Sequence, residues 1–367
     1  MINNIIKNKK NKNLNINKFI NISNLLNNKI KKIKILFNNI NNYINKIKYE
    51  IPNILNDEVP IGNKDKEIYK IKNNYKENFN YKSYLKLKNI NNKINFNLSN
   101  KISNLKSVVF KNEIALMNRA LINFMIDYHL NNKYEEIYVP LIVNEKCLYN
   151  TGQLPKFLNN LFFFNYKNKK NFLIPTSEVS IVNLFINTII EKNTLPIKLV
   201  SYTPCFRLEN GFYGKFKKGL IKLNHFDKVE VINIVDNNES DIYLENITNH
   251  VEGIINLLKL PYRKILLSSE NTPFSSSKTY DIEIFFPYYK KYIEVSSCSN
   301  TKDFQSKRIL LRYKDKFNNI IYPHILNASG LAIGRVLAAI LENYQLQNGN
   351  IEVPKVLIPY MRNIKII

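Results

Sequence analysis

Residues 205–230, CFRLENGFYGKFKKGLIKLNHFDKVE, form a stretch that predicts a β-hairpin with an unusual polar face. Both halves alternate with the two-residue period of a strand, and glycines interrupt the middle. Arg207 and Glu209 share one face of the outgoing strand. One face of the returning strand carries Lys222, Asn224, Phe226, Lys228 and Glu230. If these faces coincide, the hairpin offers cations for phosphate, carboxylates for an amine and a ring for a flat base.

The loop between the two strands is rich in glycine and lysine. It contains Gly211, Gly214, Lys215, Lys217, Lys218 and Gly219. Such a flexible basic segment could close over an anion. The returning strand also contains His225, which alternation places on the face opposite Phe226. We therefore expect His225 to be packed rather than catalytic.

The composition is that of a globular chain with a large excess of positive charge. Of 367 residues, 45% are hydrophobic and 12% aromatic, and the formal net charge is +25. This charge fits a polyanionic partner such as RNA, but lysine is spread along the whole chain, which favours a general compositional bias. Only seven of the 54 basic residues are arginine, so positions such as Arg207 and Arg335 are informative.

The three cysteines, Cys147, Cys205 and Cys298, are far apart and form no CxxC pair. This pattern indicates neither a disulfide framework nor a zinc site, and it fits a reduced cytoplasmic setting. No apolar run reaches the length of a membrane span, and the N-terminus lacks the apolar core of a secretory signal. We expect a cytoplasmic protein that does not bind membranes, and organelle import is less favoured.

Residues 25–50 carry a heptad repeat that predicts a helix with one apolar seam. The seam consists of Leu26, Ile30, Ile33, Phe37, Ile40, Ile44 and Ile47. Such a seam needs a partner, which is either a short helix formed by residues 2–20 or the globular body. The simpler structural alternative is a surface helix packed on the core. Residues 50–62, EIPNILNDEVPIG, predict an extended linker, because Pro52 ends the helix.

The rest of the chain mixes helices and strands, which predicts an α+β domain. We expect irregular structure over residues 63–105, with short strands near 94–98 and 106–110. A strand over 136–143 would contain Pro140 and so lie at an edge or an interface. Helices are predicted over 113–130 and 244–258, and a third is predicted to open at 174–178 and to reach Ile189. Residues 279–286 and 292–298 predict paired strands, and a loop at 324–334 leads into a helix that ends near residue 344.

Three short motifs outside the hairpin have both structural and chemical interpretations. Residues 176–178, Thr-Ser-Glu, fit an N-cap with an acidic first turn. Alternation places Glu294 and Ser296 on one strand face, which is either solvated polar alternation or a site for nucleotide-bound Mg²⁺. Residues 327–335 contain two glycines before Arg335, which suits small-residue packing or a phosphate site.

Together these motifs resemble those of one enzyme family in order and spacing. TGQLPKF, IPTSE, CFRLE, GLIKLNHFDKVE, TYDIE, EVSSCSNTKDFQSKR, LNASGLAIGR and LENYQ are similar to seryl-tRNA synthetase of the bacterial type, a class II aminoacyl-tRNA synthetase. The resemblance covers residues 113–361 almost continuously and extends to about residue 51. It implies an antiparallel sheet flanked by helices and a homodimer formed through residues 113–143. It also implies ATP-dependent activation of L-serine and its transfer to the 3′ end of serine tRNA.

The resemblance also assigns a nucleotide site. The implied ATP-binding set is Arg207, Leu208, Glu209, Lys222, Phe226, Glu294, Val295, Ser296, Ser297 and Arg335. Arg207 would clamp the α-phosphate, Glu209 would read the adenine edge and Phe226 would stack on the base. Lys222 and Arg335 would hold the outer phosphates, and Glu294 with Ser297 would bind Mg²⁺. The implied catalytic residues are Arg207, Glu294 and Arg335.

The implied serine-binding set is Thr176, Ser177, Glu178, Glu230, Asn327 and Ser329. Thr176 and Glu178 would hold the ammonium group of serine, and Glu230 would read its hydroxyl with Asn327 and Ser329 nearby. No general base is needed, because catalysis would come from positioning and charge stabilisation.

The sequence departs from the family pattern at several places. Lys222 stands where the family has arginine, which loses bidentate geometry. Ala328 replaces a glycine, and Leu208 replaces a small polar residue. We expect residues 1–50 to form a shortened helical tRNA-binding arm, 51–112 a linker and the start of the globular domain, and 113–367 the catalytic domain. Candidate tRNA contacts on the arm are Lys29, Lys31, Lys32 and Lys34.

Two other functions are compatible with part of these observations. An amino acid:carrier-protein ligase resembles the same catalytic core, but the Cys/Glu/Cys zinc set of such enzymes is not found near the site. A non-catalytic RNA-binding relic of a synthetase would keep the basic charge. The presence of Arg207, Glu209, Glu230, Glu294 and Arg335 favours the enzyme over the relic.

Overall fold

The computed structural model describes residues 16–73, 75–208 and 219–367, apart from the side chains of residues 16, 17 and 88. The chain divides into two compact units, one up to Ile51 and one from Pro52 to Ile367. The first unit contains a single described helix, and the second contains the sheets. The predicted heptad helix is present, but it begins earlier than residue 25.

The described helices are numbered in chain order. They are α1 (Ile16–Glu50), α2 (Lys88–Asn91), α3 (Phe96–Asn100), α4 (Asn112–Asn131), α5 (Glu145–Asn150), α6 (Glu178–Asn183), α7 (Ser240–Leu257), α8 (Phe304–Ile309) and α9 (Ile333–Asn343). Helices α4, α7 and α9 bury the apolar stripes that the sequence periodicity indicated. Helix α1 has 35 residues, which corresponds to about 52 Å. Its heptad residues are exposed within their unit, as shown by Ile33 at 65% and Phe37 at 62%.

The strands are numbered in chain order. They are β1 (Lys66–Ile71), β2 (Ile94–Asn95), β3 (Val109–Phe110), β4 (Glu135–Glu136), β5 (Ile142–Asn144), β6 (Phe163–Tyr166), β7 (Lys169–Leu173), β8 (Ile189–Glu191), β9 (Ile197–Phe206), β10 (His225–Val235), β11 (Tyr262–Leu266), β12 (Lys278–Phe286), β13 (Lys291–Asn300), β14 (Arg312–Lys314), β15 (Ile320–Ile321) and β16 (His324–Ala332).

The main described sheet has eight strands in the order β1-β11-β12-β13-β16-β10-β9-β4. The strand pairs from β1 to β9 are antiparallel, and the edge pair β4–β9 is parallel. Helices α4, α7 and α9 pack against this sheet and share one apolar core with it. The predicted α+β fold, an antiparallel sheet flanked by helices, is therefore confirmed.

Several local predictions are wrong because tertiary pairing overrode the sequence pattern. Strand β1 lies in the region predicted as irregular, and it pairs with β11 at the sheet edge with mostly exposed side chains, so no alternation marked it. Pro140 lies between β4 and β5, so the single strand predicted over 136–143 is interrupted there. The short strand predicted over 94–98 ends at Asn95, because the Asn95 side chain caps α3 by accepting from the Leu98 N–H at 2.8 Å.

Two more corrections concern segments beside the site. The helix predicted to reach Ile189 ends at Asn183, and Ile189 begins the separate strand β8. Residues 324–332 form β16 in the centre of the main sheet and not a loop, because their backbone pairs with both β10 and β13. The small and polar side chains of LNASGLA concealed this strand, since they lack the β-branched residues that typify strands.

Candidate active site

The β9–β10 hairpin brings the predicted polar faces together. Cys205 pairs with Phe226 and Thr203 with Lys228, so Arg207 continues the face that also carries Phe226 and Lys228. Regular pairing begins at His225, and before it the Arg207 N–H donates to the Asn224 carbonyl at 2.9 Å. The prediction that the two faces coincide is confirmed for Arg207, Phe226, Lys228 and Glu230. It is wrong for Lys222 and Asn224, which precede the strand, and Glu209 lies outside the described residues.

Arg207 is fixed at the centre of this face. Its guanidinium carbon lies 5.4 Å from the centroid of the Phe226 ring, and its Nε donates to the Pro175 carbonyl at 3.1 Å. The stacked ring and the carbonyl hold the planar group in one orientation, with further donors left to point along the face. A preorientated arginine of this kind suits an anion with several oxygens.

Two buried carboxylates, Glu178 at the start of α6 and Glu230 on β10, meet beside Arg207. The Asn327 side-chain amide donates to both, at 3.3 Å to each. Lys228 forms an ion pair with Glu230 and donates to the Thr176 hydroxyl at 2.8 Å. The Thr176 hydroxyl in turn donates to Glu230 at 3.3 Å. The cluster therefore holds two carboxylates and one ammonium group away from water.

The close approach of the two carboxylates shifts the pKa of Glu178. Burial and, to a smaller extent, the nearby Glu230 carboxylate together raise this pKa to about 7. The Gln305 amide opposes this shift by donating to Glu178 at 2.7 Å. A ligand that brings a positive charge would compensate the second carboxylate and favour the ionised form.

Arg335, near the start of α9, is anchored by backbone carbonyls from two other elements. Its Nη1 donates to the Glu294 carbonyl at 2.7 Å, and its Nε donates to the Ile221 carbonyl at 3.3 Å. The same Nη1 lies 3.4 Å from the Glu294 carboxylate. Arg207, Lys222, Phe226 and Arg335 line one pocket together. This end of the site is thus basic and carries an aromatic ring.

The segment that returns to β10 is held by a residue from the N-terminal part of the second unit. The Tyr84 hydroxyl is fully buried and accepts the Leu220 N–H at 2.8 Å. The next residue, Ile221, supplies the carbonyl that Arg335 binds. Tyr84 therefore fixes the backbone that orients Arg335 and carries Lys222. No pattern in residues 63–105 indicated this role.

A cavity of about 450 Å³ connects the carboxylate cluster with the basic end. Its lining includes Thr176, Glu178, Arg207, Leu208, Lys228, Glu230, Asp281, Glu294, Ser297, Asn327 and Ser329. It shares Arg207, Lys228, Glu294 and Ser329 with the basic pocket. The two ends therefore form one continuous polar site.

A bulge in β13 decides which of its polar residues reach this cavity. The register with β12 shifts so that Glu283 pairs with Glu294 while Ile282 pairs with Ser296. As a result Glu294 and Ser297 line the cavity, and Val295 lines the basic pocket. Ser296 is fully buried and donates to the Ser329 carbonyl at 2.5 Å. The prediction that Glu294 and Ser296 share a face is wrong for this reason.

A second bulge, in β16, positions Ser329. Val229 pairs with Leu331 and Glu230 with Ser329, so Gly330 is the extra residue. A Cβ at Gly330 would lie 2.5 Å from Nε2 of the buried His129, which leaves no room for a side chain there. Glycine is thus required where the His129 ring packs against the bulge.

Leu208, Ser177 and His225 are three further residues for which the sequence made a prediction. Leu208 lines the cavity, and its N–H donates to the Asn160 carbonyl at 2.9 Å. Ser177 is fully buried and is not among the residues that line the cavity. His225 is exposed and stacks on the Phe206 ring with 5.1 Å between centroids, so it packs only on one side.

Two residues of the site, Asp281 and Gln305, had no predicted role, and Lys228, expected among the cations for phosphate, pairs with Glu230 instead. Asp281 is buried opposite Ser297, and burial with the nearby Glu294 charge raises its pKa. Its Oδ1 has no hydrogen-bond partner among the described residues. The motif TYDIE contained the signal for Asp281, because an acid flanked by apolar residues in a strand is unusual. Gln305 comes from α8, which no sequence pattern linked to the site.

Comparison with known proteins identifies the family to which this architecture belongs. Residues 162–344 match the family described as tRNA synthetase class II core domain (G, H, P, S and T). The chain is 50% identical over 368 residues to the serine–tRNA ligase of Wigglesworthia glossinidia brevipalpis, covering 97% of this chain and 85% of that protein. The chain belongs to the serine–tRNA ligase family.

Other members of the serine–tRNA ligase family agree in sequence and fold. The serine–tRNA ligase of Blochmanniella floridana is 47% identical over 326 residues, covering 86% of this chain and 75% of that protein. The crystal structure of seryl-tRNA synthetase from Pyrococcus horikoshii complexed with ATP matches with a TM-score of 0.86 at 26% identity, covering 100% of this chain and 87% of that chain.

These matches confirm the family and the enzyme class predicted from the sequence. They support the synthetase and neither the carrier-protein ligase nor the non-catalytic relic. Among the described residues, no group of three or more His, Cys, Asp and Glu side chains could hold a metal ion. None of the described helices combines the length and apolar character needed to cross a membrane.

Proposed function

We propose that the chain activates L-serine with ATP and transfers the seryl group to the 3′ end of serine tRNA. The observation that carries the proposal is the continuous cavity with two chemically different ends. One end has two buried carboxylates bridged by Asn327. The other end has Arg207, Lys222, Arg335 and an aromatic ring. An amino acid with a hydroxyl suits the first end, and a nucleotide triphosphate suits the second.

At the nucleotide end, the roles follow from the fixed side chains. Arg207 would bind the α-phosphate, because its guanidinium is already orientated by Phe226 and the Pro175 carbonyl. Phe226 would stack on the base beside Val295 and Leu208. Arg335 and Lys222 would hold the outer phosphates. Glu209 would read the adenine edge. Ser296 would contribute only through its bond to the Ser329 carbonyl.

At the serine end, Glu178 would bind the ammonium group with help from Thr176. Glu230 would accept a hydrogen bond from the serine hydroxyl, and Asn327 and Ser329 would complete the pocket wall. Ser177 would act by packing beneath Glu178, since its side chain is fully buried. A site built to pair with a hydroxyl rejects alanine strongly, because Glu230 would be left unpaired.

The residues of the cavity also fit Mg²⁺ carried by the nucleotide. Glu294 and Ser297 present oxygen ligands to the cavity, and Asp281, which pairs with Ser297 across the strands, also lines it, with one oxygen that has no partner among the described residues. Oxygen donors in small number suit Mg²⁺, which keeps waters and phosphate ligands. When bound, Mg²⁺ would neutralise phosphate charge that develops during the reaction.

The reaction needs no protein base. A carboxylate oxygen of serine attacks the α-phosphorus of ATP, the bond to the bridging oxygen breaks, and pyrophosphate leaves with the electron pair. Arg207 stabilises the charge that builds up on the α-phosphate oxygens. A ribose hydroxyl at the 3′ end of the tRNA then attacks the seryl carbonyl, the bond from the carbonyl carbon to the phosphate oxygen breaks, and AMP leaves with the hydroxyl proton passing to its phosphate. The protein contributes positioning of both reactants in the cavity.

The organisation of the chain in the cell is part of the same proposal. We expect a cytoplasmic homodimer formed through residues 113–143, with residues 1–50 as a shortened helical arm that contacts the tRNA. The exposed lysines of α1 provide the charge for such a contact. Residues 51–112 would connect the arm to the catalytic domain at 113–367.

Charging of serine tRNA with labelled serine, ATP and Mg²⁺ tests the proposed function. The full chain should form seryl-tRNA, and a mixture lacking serine tRNA but containing a different tRNA should not. Deleting residues 1–48 should weaken tRNA binding and reduce its salt dependence while leaving serine activation unchanged. Failure to charge by a preparation that unfolds cooperatively would refute the second step.

A further inference from the structure

A second polar pocket lies beside the nucleotide end of the site. It measures about 510 Å³ and shares Lys222 and Leu223 with the basic pocket described above. Its other walls come from residues 84–107 and from Gly219. Apart from Tyr84, which orients Arg335 through the backbone, the side chains specific to this pocket have no role in the binding of serine or ATP described above.

The chemistry of the pocket is that of a hydrogen-bond donor surface with positive charge. Its polar lining includes Asn91, Asn92, Asn97, Asn100 and Lys106, and none of the described residues that line it is a carboxylate. The first four and Lys106 are exposed at its rim. Residues 78–112 contain seven lysines and neither aspartate nor glutamate, although the whole chain has 29 acidic residues. Amide and ammonium donors without acids suit phosphate oxygens and ribose hydroxyls.

The wall of this pocket is tied to the catalytic arginine by a chain of hydrogen bonds. The Lys106 N–H donates to the Asn224 side-chain oxygen at 2.7 Å, and the Asn224 N–H donates to the Lys106 carbonyl at 2.8 Å. The Asn224 side-chain amide then donates to the Arg207 carbonyl at 2.7 Å. A polymer held on this wall would therefore keep a fixed position relative to the α-phosphate site.

We propose that this pocket, which we call the asparagine pocket, binds the sugar-phosphate backbone of the tRNA strand just before its 3′-terminal nucleotide. The inference rests on the proposed function. A terminal ribose that reaches Arg207 must be preceded by nucleotides that leave the site, and the asparagine pocket adjoins the basic end of the site through Lys222 and Leu223. The contacts would carry no sequence information, because they address backbone atoms. They would position the 3′ end for transfer.

The test compares the double variant N97A/K106A with the control K101A. Lys101 is an exposed lysine at the end of α3 that does not line the pocket, so both preparations lose one lysine from the same region. Serine-dependent ATP–pyrophosphate exchange without tRNA, the KM for serine tRNA in charging, and the salt dependence of tRNA binding are measured for each.

The double variant should raise the KM for tRNA about ten-fold and reduce the slope of log affinity against log salt by about 0.7, the value for one phosphate contact to a single strand. Its exchange rate and its KM for ATP should match wild type, and K101A should match wild type throughout. Unchanged KM and salt slope in N97A/K106A would overturn the inference. An equal effect in K101A would also overturn it, since general charge would then suffice.

The same measurements separate the inference from the proposed function. If the wild-type chain shows neither exchange nor charging, the proposed function itself fails. If the wild type is active but N97A/K106A raises the KM for ATP in exchange, the pocket serves the triphosphate, and the tRNA-backbone inference is refuted.

Discussion

Glu178 and Glu230, which are 52 residues apart in the chain, are bridged by a single side-chain amide from Asn327 at 3.3 Å to each carboxylate. Lys228 balances only one of these two charges. Lys228 leaves the second negative charge of the pair uncompensated, which is consistent with a cationic ligand binding there. This relationship links the fold to amino-acid selection, because it requires α6, β10 and β16 to meet at one point.

The raised pKa of Glu178 predicts a pH-dependent affinity for serine. Glu178 ionises near pH 7, and only the ionised form pairs with an ammonium group. The KM for serine in pyrophosphate exchange should therefore fall as pH rises from 6 to 8. The variant Gln305→Leu removes a donor that stabilises the ionised carboxylate, so it should move the midpoint to higher pH. Gln345→Leu, a buried glutamine that does not line the cavity, is the matched control, and a midpoint equal in all three proteins would contradict the assignment.

Substitution of Glu230 should change selectivity more than total activity. In Glu230→Gln the charge that balances Lys228 is lost, and the hydroxyl of serine loses its ionised acceptor. We expect the ratio of kcat/KM for serine over alanine in pyrophosphate exchange to fall at least ten-fold, about 1.4 kcal/mol or more. Because both substrates are measured on one preparation, any loss of folded protein cancels in the ratio. An unchanged ratio would remove Glu230 from hydroxyl recognition.

The Tyr84 hydroxyl should affect the KM for ATP indirectly, without contacting ATP. Tyr84→Phe leaves the buried Leu220 N–H without its acceptor, which costs about 1–3 kcal/mol and loosens the segment that orients Arg335. The KM for ATP should rise several-fold, while the KM for serine should stay near wild type. Tyr344→Phe removes a comparable hydroxyl bond, to the Leu258 carbonyl at 2.7 Å, and it should affect stability alone. If both variants shift the KM for ATP equally, Tyr84 has only a structural role.

Glu342 predicts a pH dependence of stability. Burial in α9 raises the pKa of Glu342 from 4.5 to about 8. The folded state thus keeps a proton that the unfolded state releases, so the free energy of unfolding should fall as pH rises from about 4.5 to 8. Glu342→Gln should flatten this decline in urea unfolding, whereas the exposed Glu352→Gln should not. The same pH slope in Glu342→Gln and wild type would show that other groups cause it.

The sequence allowed accurate prediction where regular alternation continues without interruption. Arg207, Phe226, Lys228 and Glu230 came to one face because the hairpin pairs with the period of two. Ser296 was misplaced because a bulge breaks that period between Glu294 and Ser296, and no residue type marks the bulge.

Contacts between residues that are far apart in the chain could not be predicted from the sequence pattern, for a different reason. Gln305 meets Glu178 only through the docking of α8, and Tyr84 meets Leu220 across 136 positions of chain. Such contacts depend on tertiary packing, which local propensity does not encode. Resemblance to a family supplied roles for the residues in its motifs, but it gave none to Tyr84, Gln305 or the asparagine pocket.

The most direct test of the central claim is ATP–pyrophosphate exchange with labelled pyrophosphate, ATP and Mg²⁺, measured with and without L-serine. The account predicts exchange that requires serine and that Arg207→Ala abolishes while the protein remains folded. The control Arg312→Ala should retain exchange, since the Arg312 side chain bonds to the Leu310 carbonyl and Asn187 and does not line the cavity. Absence of serine-dependent exchange in the folded wild-type chain, or exchange that persists in Arg207→Ala, would contradict it.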